Sequence, residues 1–414
     1  MSITKYLQYY AEGEIKVTAT LLSQWQQVVC IPAFDEADTL PTLLNTLSKR
    51  DDLLIILVLN SPKSANPSNA LARTKQLGKL IKKQFSIEQT INENCQLLRL
   101  NNANSHLLLL EHYSIPDKEG VGLARKIACD IACKLIHENK VSSLWIHNTD
   151  ADVSLPTNYF SISQGLNDDC AAAIFAFSHK NIPQQKFQDS LQLYEYSLFY
   201  YVEALRWAGS RYAFHTIGST LLIHYNYYAL ARGFPKRSAG EDFYLLNKLR
   251  KIGNIQSLSG PLITLSGRPS KRVPFGTGPA INKISKLNNS KNDYLFYHPK
   301  CFFYLKKWLK TLPTLWESNE IQSLVEDELL IKCLSNIGVD EAISHASQHS
   351  KNQAGFTKHM HNWFDAFKTL KFIHNLRDMG IPSINLKDLQ NYKTDFPFIV
   401  TAEVQQRINN KTLS

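Results

Sequence analysis

The segment DLLIILVLN, residues 52–60, is apolar at almost every position, and that continuity limits the folds open to the chain. A strand with one wet face alternates polar and apolar side chains. An unbroken apolar run suits a strand buried on both faces, as in a parallel sheet covered by helices. QQVVCIPAF (26–34), SLWIH (143–147) and AAAIFAFSH (171–179) have the same character, and LLLLE (107–111) reads as a further strand. Helical segments stand between them. One starts at Asp38-Thr39-Leu40-Pro41, with proline in its first turn, and runs to about Arg50; a second is LARTKQLGKLIKKQF (71–85). A third covers residues 120–140, where Leu123, Ile127, Ile131 and Leu135 form an apolar stripe. Alternation of this kind over the first 180 residues predicts an α/β sheet with crossover helices, whose ligands bind at the carboxyl ends of strands.

At 414 residues the chain exceeds one ordinary core. Three regions are expected: a helical lead-in over 1–25, where Tyr6, Tyr9 and Tyr10 can share a face; an α/β domain over 26–281; and a mainly helical region over 282–414. The polar stretch 282–293 reads as a linker or solvated helix, and residues 361–380 as one helix packed through Phe364, Phe367, Leu370, Phe372 and Ile373. No stretch approaches the roughly 20 apolar residues of a membrane helix, and the N-terminal segment lacks the apolar core of a secretory signal. Seven scattered cysteines fit reduced thiols, so a cytoplasmic location is expected. Cys129, Cys133 and His137 follow one another at single-turn spacing, a pattern read as packed thiols rather than a metal site. The net charge of +10 allows nucleic acid, an anionic membrane surface or phosphorylated small molecules as partners. No nucleic-acid motif is visible, which leaves the small molecules and peripheral membrane contact.

The chemistry concentrates at SLWIHNTDADVSLP (143–156). A strand ends in a polar loop with two carboxylates, Asp150 and Asp152, one small residue apart. Such a pair at a strand end suits a hard divalent cation that keeps phosphate oxygens in its shell. Further along, Glu241 and Asp242 follow Gly240 at a helix start, where acids are also favoured by the helix dipole. Arg268, Lys271 and Arg272 stand beside Gly276-Thr277-Gly278, a basic, glycine-flanked loop suited to phosphate.

Four blocks, in order, resemble family 2 glycosyltransferases: IPAFDEADTLPTLL, GLARKIACDIA, NTDADVSLP, and the stretch from Ala213 to Gly253 that contains SAGEDFYLLNKL. The resemblance covers roughly residues 26–266. It implies the Rossmann-like GT-A fold and transfer of a sugar from a nucleotide-sugar donor to a hydroxyl acceptor, with Mg²⁺ or Mn²⁺. It further implies donor contacts from Pro32, Ala33, Asp35, Glu36, Asn60, Arg125 and Asp150. The basic loop of Arg268, Lys271 and Arg272, read from its own charges and glycines, is expected to close over the donor diphosphate or hold an anionic acceptor. Metal ligation falls to Asp150 and Asp152, with His215 a further candidate. Asp242 becomes the general base, Glu241 orients the acceptor, and the configuration inverts. One departure is Val58-Leu59-Asn60-Ser61, where the family usually places an aspartate that reads uracil. The donor base is therefore open. Rival readings are a sugar-nucleotide nucleotidyltransferase, which would need a glycine- and lysine-rich loop after the first strand, and a binding protein without turnover.

Overall fold

The structure is a computed structural model that describes residues 2–101, 104–167, 169–270, 276–318, 321 and 325–400. The chain forms two compact units. One comprises residues 1–180 and 216–267, the other 181–215 and 268–414. Both are thus discontinuous in sequence, and the long aromatic helix expected within the α/β domain belongs to the second unit.

The first unit is built on a nine-stranded sheet. Its strands are β1 (Gln27–Ala33), β2 (Leu53–Pro62), β3 (Ser86–Asn92), β4 (Cys95–Arg99), β5 (His106–Ile115), β6 (Trp145–Asn148), β7 (Cys170–His179), β8 (Leu221–His224) and β9 (Asn254–Leu265). They lie in the order β3-β4-β5-β2-β1-β6-β8-β7-β9. β5, β2, β1 and β6 are mutually parallel, β7 is parallel to β9, and β8 runs antiparallel to both β6 and β7. β1, β2, β5, β6 and β7 are the strands the apolar runs predicted. β3 and β4 form an antiparallel hairpin that the sequence reading did not include. β3 is largely exposed, so it lacks an apolar signature, and its turn is held by Asn92 Oδ1 accepting from the Asn94 N–H at 2.9 Å.

From β1 the chain moves outward to β2 and β5, then returns to place β6 on the other side of β1. The crevice where strand order reverses, between the carboxyl ends of β1 and β6, is the ligand position of open α/β sheets. The β1–β6 ladder spans only Val28↔Ile146 to Cys30↔Asn148. Pro32 lies inside β1, paired with Val58 of β2. By that point β6 has left the ladder, so a residue without an N–H is tolerated.

The helices of this unit are α1 (Ile3–Tyr9), α2 (Leu40–Leu47), α3 (Asn69–Gln84), α4 (Gly120–His137), α6 (Tyr225–Leu230) and α7 (Glu241–Ile252); α5 (Gln185–Ala208) lies in the second unit. α4 carries more than the single stripe expected of it. It packs on β1 and β2 and is covered from outside by α1, α6 and a 3₁₀ segment, Gly13–Thr20. Burial therefore runs almost all round it, and Lys126 and Asp130 are inside. Asp130 is fully buried and accepts from Lys126 Nζ (2.9 Å), Tyr228 Oη (2.8 Å), the Glu12 N–H (2.8 Å) and Tyr6 Oη. Tyr6 alone of the three N-terminal tyrosines is fully buried, whereas Tyr9 is 66% exposed. Cys129 and Cys133 are packed thiols, as their spacing suggested, and His137 is exposed.

The second unit is helical. α5 packs its aromatic face on Phe296, Phe302 and Phe398, and Tyr200 Oη donates to the Tyr297 carbonyl at 2.6 Å. The further helices include Pro299–Thr311, Glu328–Ser335, Val339–His349, Gln353–Trp363 and Ala366–Asp378. Residues 361–380, expected as one helix, are divided between the last two. Asp365 interrupts them by capping the N–H groups of Phe367 and Lys368, both at 3.1 Å. The stretch expected as a linker holds the end of one helix, Thr277–Ile284, and a short second, Ser290–Asp293. Among the described residues no helix is long and apolar enough to cross a membrane.

Removing Asp130 would strand the Lys126 ammonium inside the unit. Asp130→Ala should cost about 3–5 kcal/mol in urea denaturation. A loss below about 1 kcal/mol would show the network to be no stronger than a surface pair.

Candidate active site

Two strand ends define the crevice. After β1 the backbone kinks at Asp35, which takes a left-handed φ of +56°. That is rare for a non-glycine residue and marks a constrained turn. The kink is fixed by α3: the Asp35 N–H donates to Thr74 Oγ1 at 3.0 Å, and Arg73 pairs with Asp35 at 2.8 Å and also with Asp38. Glu36 is buried, and Thr39 Oγ1, from the residue just before α2, donates to its carboxylate at 2.6 Å. Asn60 is buried near the end of β2, where the β2–β5 register slips between Asn60 and Pro62, and its amide donates to the Val58 carbonyl at 3.3 Å. Of the residues assigned to the donor, Pro32, Ala33, Asp35 and Glu36 thus lie at the end of β1, and Asn60 lies near the end of its neighbour β2.

β6 delivers the acidic loop. Asp150 and Asp152 are partly exposed, and Ala151 between them is buried. The far side of the loop is fastened by Ser154, which exchanges two backbone hydrogen bonds with Thr264 of β9, at 2.8 and 3.0 Å. Pro156 opens a turn and a short 3₁₀ segment, Ser161–Gly165, rather than an α-helix. On the opposite face of β6 from Asn148, His147 sits among Tyr159, Phe160 and Phe175. Burial pushes its imidazole down to about 3, so it is neutral and unsuited to act as a base at neutral pH.

Arg125 joins these parts. It was expected to reach the donor, but its guanidinium is turned inward and only 3% exposed. Nε donates to Glu241 at 2.9 Å, Nη1 to Asn148 Oδ1 at 3.1 Å, and Nη2 to Asp150 at 2.5 Å. Burial alone would lower its pKa; Asp150 and Glu241 beside it more than offset that and keep it charged. Asn148 is itself tied to α4, since its amide donates to Cys129 Sγ at 2.8 Å. Gly218 closes the space above: a Cβ there would lie 2.6 Å from Arg125 Nη2. Neither Asn148 nor Gly218 was singled out from sequence. Gly218 stands in the small-residue run Gly218-Ser219-Thr220 before β8, and close approach to a charged plane is the physical reason for it.

α7 supplies the last pair. Gly240 caps it with φ +72°, a left-handed turn that glycine adopts without strain. Glu241 is buried against Arg125. Asp242 is half-buried, and its Oδ1 accepts from the Phe243 N–H at 2.7 Å. Burial first, and the neighbouring Glu241 second, push its carboxyl up to about 7, against the pull of Arg125. Asp150, Arg125, Glu241 and Asp242 therefore form one electrostatic cluster. His215 and Arg268 belong to the second unit, where His215 packs edge-on against Phe199. Lys271 and Arg272 lie outside the described residues.

Among the described residues no three His, Cys, Asp or Glu side chains converge as a ready metal cage. The donor set at the loop is two carboxylates, one of them shared with Arg125. Such a set fits a hard cation that takes most of its ligands from a diphosphate and water, as Mg²⁺ commonly does. No protein-family model matches this chain, and no curated protein matches it.

Gly218→Ala tests the packing of the cluster. The added methyl must displace the guanidinium, so stability should fall by about 1–3 kcal/mol in urea denaturation. A value within about 0.5 kcal/mol of the parent protein would show that Arg125 moves aside freely.

Proposed function

We propose that this protein is a glycosyltransferase that moves a sugar from a nucleotide donor to a hydroxyl acceptor, with a GT-A type of α/β domain as its catalytic frame. The observation that carries this reading is the position of the acidic cluster at the β1–β6 switch point, the crevice where α/β sheets bind nucleotides. The kinked end of β1 offers the buried Glu36 and the backbone of residues 32–36 to a nucleoside, with Asn60 beside it on β2. Asn60 presents both a donor and an acceptor, which leaves the base identity open.

In this reading Asp150 and Asp152 would hold a divalent cation, which when bound would supply positive charge against the departing diphosphate. Arg125 keeps Asp150 and Glu241 in place from behind. Asp242 takes the proton of the acceptor hydroxyl as that oxygen bonds to the anomeric carbon, while the bond from that carbon to the donor phosphate breaks and the nucleoside diphosphate leaves. A carboxyl pushed up to about 7 is matched to this task, because general bases work best near the ambient pH. Attack opposite the leaving group inverts the configuration. The seven cysteines are buried free thiols, which suits the reducing cytoplasm in which sugar nucleotides are made.

Release of nucleoside diphosphate from a panel of sugar nucleotides, with and without Mn²⁺, tests the proposal. Turnover of at least one donor, dependent on metal, is expected; a folded protein that turns over none contradicts it. Asp242→Asn keeps the shape and should lower transfer by about 10²-fold or more, with nucleotide affinity by calorimetry unchanged. If affinity falls and transfer survives, Asp242 only positions the acceptor. The base must be deprotonated to act, so kcat/KM should rise with pH up to about 7 and level off above it. A flat profile between pH 5.5 and 8 would remove the carboxyl from that role.

A further inference from the structure

The segment between α6 and α7 carries a second feature, separate from the acidic cluster. Arg232 ends α6 with a left-handed φ of +63°, followed by Gly233 at +67°. Residues 235–238 are then pressed onto the first turn of α4. The Gly122 N–H donates to the Arg237 carbonyl at 2.9 Å, and a Cβ at Gly122 would lie 2.5 Å from the Pro235 carbonyl oxygen. Gly120 is equally close to Ser238, at 2.6 Å. The backbone of this loop is therefore fixed, and its side chains project from a rigid base.

Three exposed cations leave it or face it. Arg232 lies over the Tyr10 ring at 4.9 Å, and Arg237 over the Tyr244 ring at 4.0 Å. Lys248 follows Tyr244 by one turn of α7, on the same face. Partial desolvation first, then Lys126, Arg232 and Arg237, pull the Lys248 ammonium below the usual lysine range. The carboxylates at hand are engaged elsewhere. Glu12 and Glu119 pair with Lys236, and Asp130 with Lys126. Among the described residues Arg232, Arg237 and Lys248 make no ion pair with a carboxylate. Like charges gathered on a rigid loop without counter-charge cost energy unless an anion joins them. A strained arginine at the same place points the same way.

We infer that Arg232, Arg237 and Lys248 form a phosphate-binding site. Planar guanidiniums, each steadied on an aromatic ring, suit the bidentate recognition of phosphate oxygens. Six residues of α7 separate Asp242 from Lys248, about 9 Å of helical rise and about 1.7 turns, so the two side chains leave different faces of the helix and the phosphate site is separate from the acidic cluster. The phosphate belongs either to a soluble ester or to a phospholipid headgroup.

Calorimetry with inorganic phosphate and glycerol phosphate tests the site on the full chain. Saturable binding is expected, weakened about tenfold or more in Arg237→Gln and Lys248→Gln and further in the double variant. Thermal melts establish that these surface variants remain folded, and release of nucleoside diphosphate by donor hydrolysis should be unchanged in them. Sedimentation with vesicles of phosphatidylglycerol and phosphatidylcholine distinguishes the sources: co-sedimentation that the double variant loses identifies a headgroup, and its absence alongside phosphate binding identifies a soluble ester. No saturable phosphate binding, or the same affinity in the double variant, overturns the site even if donor turnover is intact. Phosphate binding without any donor turnover supports the site, which stands apart from the transfer reading.

Discussion

A buried guanidinium is the constraint on which the first unit depends. Removing Arg125 from water is costly, and only carboxylates and hydrogen-bond acceptors at the right distance offset that cost. Those acceptors come from distant parts of the chain. Asp150 comes from the end of β6, Asn148 from within it, and Glu241 from the first turn of α7, 116 positions away. One charge therefore sets the register between α4, the end of β6 and the first turn of α7. It also explains Gly218, since a larger residue would occupy the space of the guanidinium. The same charge restrains Asp242, which burial and Glu241 would otherwise push further toward the neutral form.

α4 bears a second buried ionic group one turn along, with Lys126 and Asp130 holding Tyr6 and Tyr228. Both networks use the same helix, which explains why its burial runs all round. Arg125 faces the crevice and Asp130 faces the N-terminal segment, so the lead-in is a covering layer of the unit rather than an appendage. The loop that begins at Arg232 is pressed on the first turn of this helix. A phosphate site on that loop and a base at the start of α7 would thus share one rigid support.

Much of this frame was legible in the sequence, for physical reasons. β2 is buried on both faces and must be apolar throughout, so its residues announce it. Asp150 and Asp152 stand out because carboxylates at the end of such a strand need a purpose. The hairpin of β3 and β4 was not legible, because an exposed edge places no demand on composition. Nor was the inward turn of Arg125. An arginine near a helix start looks the same whether it meets solvent or two carboxylates that arrive from elsewhere in the fold. Asp365 stopped a helix that looked continuous, because capping competes with helix propagation only when the next turn packs. The discontinuity of both units was hidden too, since α5 has the composition of any aromatic helix and only its packing partners assign it. The cluster of Arg232, Arg237 and Lys248 spans sixteen positions and forms only when α6 meets α7.

We propose that the β1–β6 crevice holds a nucleoside diphosphate while Arg125 stays behind it as an internal tie. A crystal structure with a bound nucleoside diphosphate and Mn²⁺ tests both halves. The nucleoside should lie beside Glu36 and Asn60, the metal on Asp150 and Asp152, and Arg125 should still donate to Glu241. A nucleotide bound elsewhere, or Arg125 swung out from Glu241 onto the phosphates, would contradict it.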